Sequence, residues 1–355
     1  MGIRMWRLLV LLLIATTAMA ETDPRSAKID ALFTDFNRAD VPGAVLMVIQ
    51  NGKILKEQGY GLCDLGKKTP CAADTNFRLA SLTKEFTAMA ILMLAQDKKL
   101  SLDDPITKFF PEFPEYGRSI TVSELLTHRS GLIDYEDVIP SGTIIPVSDQ
   151  NVLSLLRKEE KTYFTPGSQF RYSNGGYALL SLIVEVVSGN TFASFLKQNI
   201  FAPLQMNGTI AYQAGLSKVS NRAYGYAREN NRFVFSDQSL TSSVLGDGGI
   251  YSSVRDLFKW DQALYTDKLI SKELLQRAFS AHSPTSDMDG SGYGFGWYVG
   301  KYHGDDLIWH YGSTCGFTNR IERIPQRKFT VIILTNRRDA EISDIGRKIA
   351  DLYLQ

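Results

Sequence analysis

The chain has 355 residues, 44% hydrophobic and 22% charged, with a formal charge of +1. Loss of Arg4 and Arg7 with a leader would make that −1, and a near-neutral surface argues against nucleic acid or an anionic membrane as partner. The length predicts about two structural units.

Residues 1–20 read as a secretory signal peptide. Arg4 and Arg7 give a positive start, Leu8 to Ala15 a short apolar run, and Ala18-Met19-Ala20 a cleavage site before Glu21. The run is too short for a permanent span; the alternative is an uncleaved anchor. No cysteine directly follows it, which argues against a lipoprotein. The expected location is periplasmic or secreted, with cleavage after Ala20 and no stable membrane span thereafter. Ile29 to Phe36 predicts an amphipathic helix. Gly43 to Ile49 and Lys53 to Tyr60 predict two strands joined at Asn51-Gly52, a strong hairpin signal. Cys63 and Cys71 bracket a turn-rich segment and, in an exported protein, are expected to pair; the alternative is two free thiols. Cys315 is then unpaired and reads as a small buried residue. His128, His282, His303 and His310 show no metal-ligand spacing with each other or with the cysteines.

Asn76 to Ala80 leads into Ser81-Leu82-Thr83-Lys84. The run from Glu85 to Ala95 is apolar on nearly every helical face, so a helix buried on all sides is predicted to about Lys98. Ser81 and Lys84 share one face of it. A hydroxyl there lies near an amine that burial can hold neutral, and near helix N–H groups without intrahelical partners. Those are the parts of an activated nucleophile. Taken alone, the pattern also fits an N-cap serine with a solvated lysine.

From Leu100 the chain is punctuated by proline. Thr121 and Glu124 make a capping box for a helix ending at His128 to Leu132. Asn151 to Lys158 predicts a short helix. Tyr172-Ser173-Asn174 puts a phenol and an amide on an exposed loop before a strongly apolar helix, Tyr177 to Val187, stopped by Ser188-Gly189. Phe192 to Phe201 continues helically. The glycine-rich run Gly246 to Tyr251 matches neither a P-loop nor G-x-G-x-x-G and is read as close backbone packing before a helix at Val254 to Tyr265. Gly292 to Val299 alternates glycine with large residues, as a tightly packed strand does. Leu307 to His310, Phe317 to Arg323 and Phe329 to Thr335 follow as strands, and Ile342 to Tyr353 as a closing helix. His310-Tyr311-Gly312-Ser313 is placed at a strand end.

Ser81-Leu82-Thr83-Lys84, Tyr172-Ser173-Asn174 and His310-Tyr311-Gly312-Ser313, in that order, resemble the serine β-lactamase and penicillin-binding-protein superfamily. The Tyr-x-Asn element is similar to the class C branch, with its D-alanyl-D-alanine carboxypeptidase, D-aminopeptidase and family VIII esterase relatives. Leu102 to Pro105, Leu125 to Leu132, Phe170 to Asn174, Gly248 to Ser252 and Gly294 to Trp297 match the same group, so the resemblance spans about residues 28–353. It implies an α+β, β-lactamase/transpeptidase-like fold. One antiparallel sheet is built from both termini (residues 21–105 and 286–355), flanked by helices, with a helix-rich inserted domain at 106–285. It implies no cofactor and no metal. Ser81 would attack a carbonyl and become acylated. Either Lys84 or Tyr172 would be the base, with Tyr172 relaying the proton. Asn174 would bind the substrate's acyl amide, and the N–H groups of Ser81 and Ser313 would form the oxyanion hole, Gly312 allowing close approach. His310 stands where the family pattern has lysine. A neutral histidine would attract a substrate carboxylate less, which tilts the expected substrate from β-lactams towards peptides and esters. A non-hydrolytic β-lactam or peptidoglycan sensor of the same fold is the alternative.

Overall fold

Asn51 and Gly52 both have positive φ, 51° and 73°, the conformation a two-residue hairpin with right-handed strand twist requires. They join β1 (Ala44–Gln50) to β2 (Lys53–Tyr60), where the Asn-Gly signal predicts the turn. The computed structural model describes residues 23–285 and 291–355; the expected leader lies outside them. The other strands of the main sheet come late in the chain: β3 (Ser283–Pro284), β4 (Gly292–Tyr293), β5 (Tyr298–Tyr302), β6 (Asp305–Thr314), β7 (Phe317–Ile324) and β8 (Phe329–Thr335). They form one antiparallel sheet in the order β3-β4-β5-β6-β7-β8-β1-β2. Ala44 lies opposite Thr335, so the two ends of the chain meet in one sheet, β1 standing next to the edge strand β2. Pro284 sits on the edge strand, where a missing N–H breaks no ladder.

The helices are α1 (Arg25–Leu32), α2 (Thr83–Gln96), α3 (Val122–Leu126), α4 (Asp149–Leu156), α5 (Asn174–Ser188), α6 (Phe192–Leu196), α7 (Leu245–Gly248), α8 (Val254–Ala263), α9 (Lys272–Ala278) and α10 (Ile345–Leu354). β1 reads as a continuous apolar run because both faces of the sheet are covered. Val45, Met47 and Ile49 join the core shared with α2 and α5, while Ala44, Leu46 and Val48 join a second core with Ile29 of α1 and Ile345 and Ile349 of α10. α8 packs on β1 and β8 through its buried face, so the sheet-bound part of the chain resumes before residue 286. Among the described residues no single helix is long and apolar enough to cross a membrane.

Thr121 caps α3 in a complete capping box with Glu124. α5 begins three residues earlier than its apolar pattern, because the Ser173 hydroxyl accepts the Gly176 N–H, and it ends at Gly189 in the left-handed region. α1 likewise starts earlier than predicted and ends at Leu32. Gly292 to Val299 is not one strand. The Gly294 N–H bonds to the Trp297 carbonyl at 2.8 Å, and Gly296 has φ +79°, where a Cβ would stand 2.7 Å from the Lys84 carbonyl, so the alternating glycines make a tight turn between β4 and β5. Cys63 and Cys71 are bridged. Cys315, read from sequence as buried, is half-buried in the β6–β7 turn.

Candidate active site

Ser81 lies in a 3-10 turn (Ala80–Leu82) that runs directly into α2. Ala80 has φ +52°, a left-handed conformation that costs a residue with a Cβ roughly 1–2 kcal/mol. The turn is held on two sides. The Leu79 N–H bonds to Ile250 O at 2.8 Å, and Asn319 Nδ2 of β7 donates to Arg78 O at 2.8 Å. Gly312 of β6 passes beneath; a Cβ there would stand 2.2 Å from Leu79 O and 3.0 Å from Ser81 N. Only glycine lets the strand and the nucleophile turn come this close.

Lys84, one turn on, is completely buried. Its Nζ lies 3.1 Å from Ser81 Oγ, 2.9 Å from Asn174 Oδ1 and 2.8 Å from Asp247 O. As an ammonium it donates to all three. As a neutral amine it donates to Asn174 and Asp247, and its lone pair accepts from the Ser81 hydroxyl. Burial pulls the Lys84 pKa down to about 8, against the opposing charges of Asp247 and Glu136. Asn174, 90 residues on from Lys84, is thus brought to the Ser81–Lys84 pair.

Tyr172 is half-buried rather than on an exposed loop. Lys84 Nζ sits 4.8 Å from the centre of its ring. Burial raises the phenol well above its ordinary pKa, with the hydrogen bond to Ser81 pulling the other way, so at neutral pH it keeps its proton. Asn174 opens α5. Its Oδ1 faces Lys84 and its Nδ2 donates to Glu136 Oε1 at 3.0 Å, which fixes the orientation of the amide.

His310 needs a correction. It lies within β6, paired with Ile321, and is completely buried. Its Nδ1–H donates to Tyr311 O at 2.7 Å, so Nε2 accepts from the Tyr293 hydroxyl at 2.9 Å. Burial and the Lys84 charge lower its pKa to about 3. It is a neutral strut behind the site, its ring 6.3 Å from that of Tyr172, and not a group facing substrate. Gly312 lies against Ser81, and Ser313 is exposed two residues before the turn to β7.

Several residues of the site lie outside the three main motifs. The Asp247 backbone holds Lys84, and its carboxyl accepts from the Tyr135 hydroxyl at 3.1 Å. Asp149 of α4 binds the N–H groups of Leu245 and Gly246 and so fixes α7. His128 accepts the Ser173 N–H on Nδ1 at 3.0 Å, and its ring packs 4.2 Å from that of Tyr172. The glycine-rich run was the available signal for Asp247; Gly246 packs so tightly that a Cβ would stand 2.2 Å from Tyr177 O.

A nucleophile hydroxyl, a buried amine and a phenol on this fold define a serine hydrolase site of the β-lactamase type. The Beta-lactamase family model matches residues 29–354, and the chain belongs to that family. It is 32% identical over 346 residues to Penicillin-binding protein 4* of Bacillus subtilis, covering 92% of this chain and 75% of that one. Other curated relatives are spanned over 64% of their length. Among solved structures it resembles an octameric penicillin-binding protein homologue from Pyrococcus abyssi (TM-score 0.82, 29% identity, 92% of this chain and 76% of that one). It also resembles the D-amino acid amidase of Ochrobactrum anthropi SV3 (TM-score 0.77, 25% identity, 92% and 95%).

Proposed function

We propose that this chain is an exported serine hydrolase that forms an acyl-enzyme at Ser81, acting on D-amino-acid amides or peptides and on small esters in preference to β-lactams. The contact of the fully buried Lys84 Nζ with the half-buried Ser81 Oγ carries the reading. Lys84, with its lowered pKa, takes the hydroxyl proton as Ser81 Oγ bonds to the substrate carbonyl carbon; Tyr172, with its raised pKa, stays a neutral phenol. The tetrahedral oxyanion is received by the N–H groups of Ser81 and Ser313. As the carbon–leaving-group bond breaks, the Tyr172 hydroxyl gives a proton to the departing nitrogen or oxygen and recovers one from Lys84. Water then releases the acyl group by the reverse path.

Two electrostatic features support the substrate preference. A buried neutral His310 offers no cation to a substrate carboxylate. Exposed Glu136, bonded to Asn174, places a negative charge at the acyl side, which favours a substrate with a free ammonium group. The similarity to a D-amino acid amidase points the same way. Removal of residues 1–20 on export remains part of this proposal, from their sequence pattern.

The test is purified protein on nitrocefin, p-nitrophenyl acetate and butyrate, D-alanine p-nitroanilide and D-alanyl-D-alanine peptides, with Ser81→Ala as control. Turnover of the amide, peptide or ester substrates that is lost in Ser81→Ala supports the reading; rapid turnover of nitrocefin above all others overturns the preference. Stable labelling of Ser81 by a fluorescent penicillin without turnover marks a sensor instead, the alternative that the likeness to Penicillin-binding protein 4* favours.

A further inference from the structure

His128 stands one residue past the C-cap of α3. The Arg129 N–H bonds to Glu124 O at 2.8 Å and the His128 N–H to Leu125 O at 3.4 Å, the double ending in which the residue at this position turns left-handed. Its φ is +57°. Glycine or asparagine usually takes that place, because a Cβ is strained there. The imidazole adds a second cost. It is completely buried, and Nδ1 accepts the Ser173 N–H at 3.0 Å. The neutral ring therefore carries its proton on Nε2, which has no hydrogen-bond partner among the described residues. Burial pulls the pKa well below the ordinary 6.5, so Nδ1 keeps its lone pair. A glycine would avoid both costs. Strained backbone and unsatisfied buried groups of this kind gather at functional sites.

Both costs are tied to Tyr172. The donors on either side of it end on this one residue: the Arg171 N–H on His128 O at 2.9 Å, and the Ser173 N–H on Nδ1. The imidazole packs against the phenol, with ring centres 4.2 Å apart. Tyr172 lies in neither helix nor strand, so no regular ladder fixes it. The His128 turn is itself anchored. The Tyr163 N–H bonds to Gly131 O and the Gly167 N–H to Arg129 O, each at 2.8 Å, and Ser283 Oγ on the sheet edge donates to Thr127 O at 3.1 Å. Tyr293 backs the imidazole at 4.5 Å between ring centres and binds His310 through its hydroxyl.

We propose that His128 is a positioning residue for proton delivery: its Nδ1 and its ring hold the Tyr172 hydroxyl where it can protonate the leaving group.

The inference rests on the role proposed for Tyr172. One proton moves from the Tyr172 hydroxyl to the departing oxygen or nitrogen as the bond to the carbonyl carbon breaks, and the phenol recovers one from Lys84. The His128 imidazole bonds to Ser173 and not to Ser81 or Lys84. Its loss should therefore show in the step that needs a donated proton. p-Nitrophenolate is a weak base and departs without one; phenolate, a stronger base, gains from one. General acid catalysis contributes about 10²–10⁴-fold, and a misplacement of about 1 Å costs on the order of 10²-fold. His128→Ala should lower kcat/KM for phenyl butyrate on the order of 10²-fold, and for p-nitrophenyl butyrate by a few-fold only. Asparagine tolerates the left-handed backbone and offers Oδ1 near the place of Nδ1, so His128→Asn should recover part of the loss on the phenyl ester.

The experiment measures kcat/KM for the two esters, which reports the steps through acylation. Wild type, His128→Ala, His128→Asn, Tyr172→Phe and the double variant Tyr172→Phe with His128→Ala are compared, with thermal melts to confirm folding. A phenyl-selective loss in His128→Ala that is absent on the Tyr172→Phe background supports the proposal. An equal loss on both esters, which is what a purely structural role produces, overturns it. So does a selective loss that persists without the Tyr172 hydroxyl. A Tyr172→Phe variant that spares the ratio of the two esters overturns the role of Tyr172 and this inference together. A wild type that hydrolyses neither ester overturns the hydrolase reading beneath both. If His128→Ala does not fold, His128→Asn decides: a phenyl-selective loss supports the proposal, and an unmoved ratio refutes it.

Discussion

Gly312→Ala tests how the nucleophile turn and β6 are fitted together. The added methyl would meet Leu79 O at 2.2 Å, Ser81 N at 3.0 Å and Ala80 Cβ at 3.1 Å, against ordinary contact beginning near 3.4 Å. The overlap with the carbonyl is about 1 Å, and interiors packed like crystals do not absorb that freely. No side chain can swing away, because both sides are main chain. β6 is fixed by its ladder with β7, Gly312 opposite Asn319. The turn is fixed by Asn319 and by Ile250 O. Overpacking of this kind costs about 1–3 kcal/mol, or roughly 2–4 °C of melting temperature per kcal/mol, so the variant should fold. The displacement falls between the two N–H groups proposed to hold the oxyanion. A misplacement of about 1 Å costs on the order of 10²-fold, and loss of one such donor about 10²–10³. The expected result is kcat/KM for p-nitrophenyl butyrate reduced by about 10²–10³ with KM changed little, in a protein that melts about 2–12 °C early. Unchanged kcat/KM in a folded variant would refute the argument, since β6 would then not form part of the site.

Two further substitutions test the supports. Asp149→Ala strips the N–H groups of Leu245 and Gly246 of their acceptor; each buried orphan costs about 1–3 kcal/mol, and loosening α7 also releases the carbonyl that holds Lys84. Melting temperature and esterase rate should fall together, and a loss of stability with full activity would separate α7 from the site. Glu85→Gln concerns a completely buried carboxyl whose Oε2 accepts the Trp260 indole N–H at 2.9 Å and whose Oε1 has no partner. Burial raises its pKa well above the ordinary 4.5. The folded state therefore favours the protonated acid: its contribution is full below pH 4.5 and is lost as pH rises towards the folded pKa. Glutamine keeps the shape without the charge, so the variant's melting temperature should match wild type near pH 4 and exceed it increasingly up to pH 8. Parallel curves would show that Glu85 is ionised in the fold.

What could be read from the sequence was what is encoded locally. Asn51-Gly52 specifies its turn by backbone sterics, Thr121 and Glu124 specify theirs by reciprocal capping, and the apolar run after Lys84 has no face to offer water. Asp247 and Tyr135 carry no such signature. They reach Lys84 through packing across sequence separations of 163 and 112 residues, the second by way of Asp247. The glycines around Asp247 were legible as close packing, but nothing periodic distinguishes the carboxylate set between them. His310 is a different case, because its side could have been deduced. Side chains two apart in a strand share a face. If Gly312 is glycine so that β6 can lie under Ser81, then His310 must turn to that same face, where the structure buries it completely. Its replacement of lysine acts from within, by leaving the aromatic wall behind Lys84 uncharged. The groups nearby that do meet solvent are Glu136, tied to Asn174 on the helical side, and Tyr311 and Ser313, which the same alternation turns to the other face of β6.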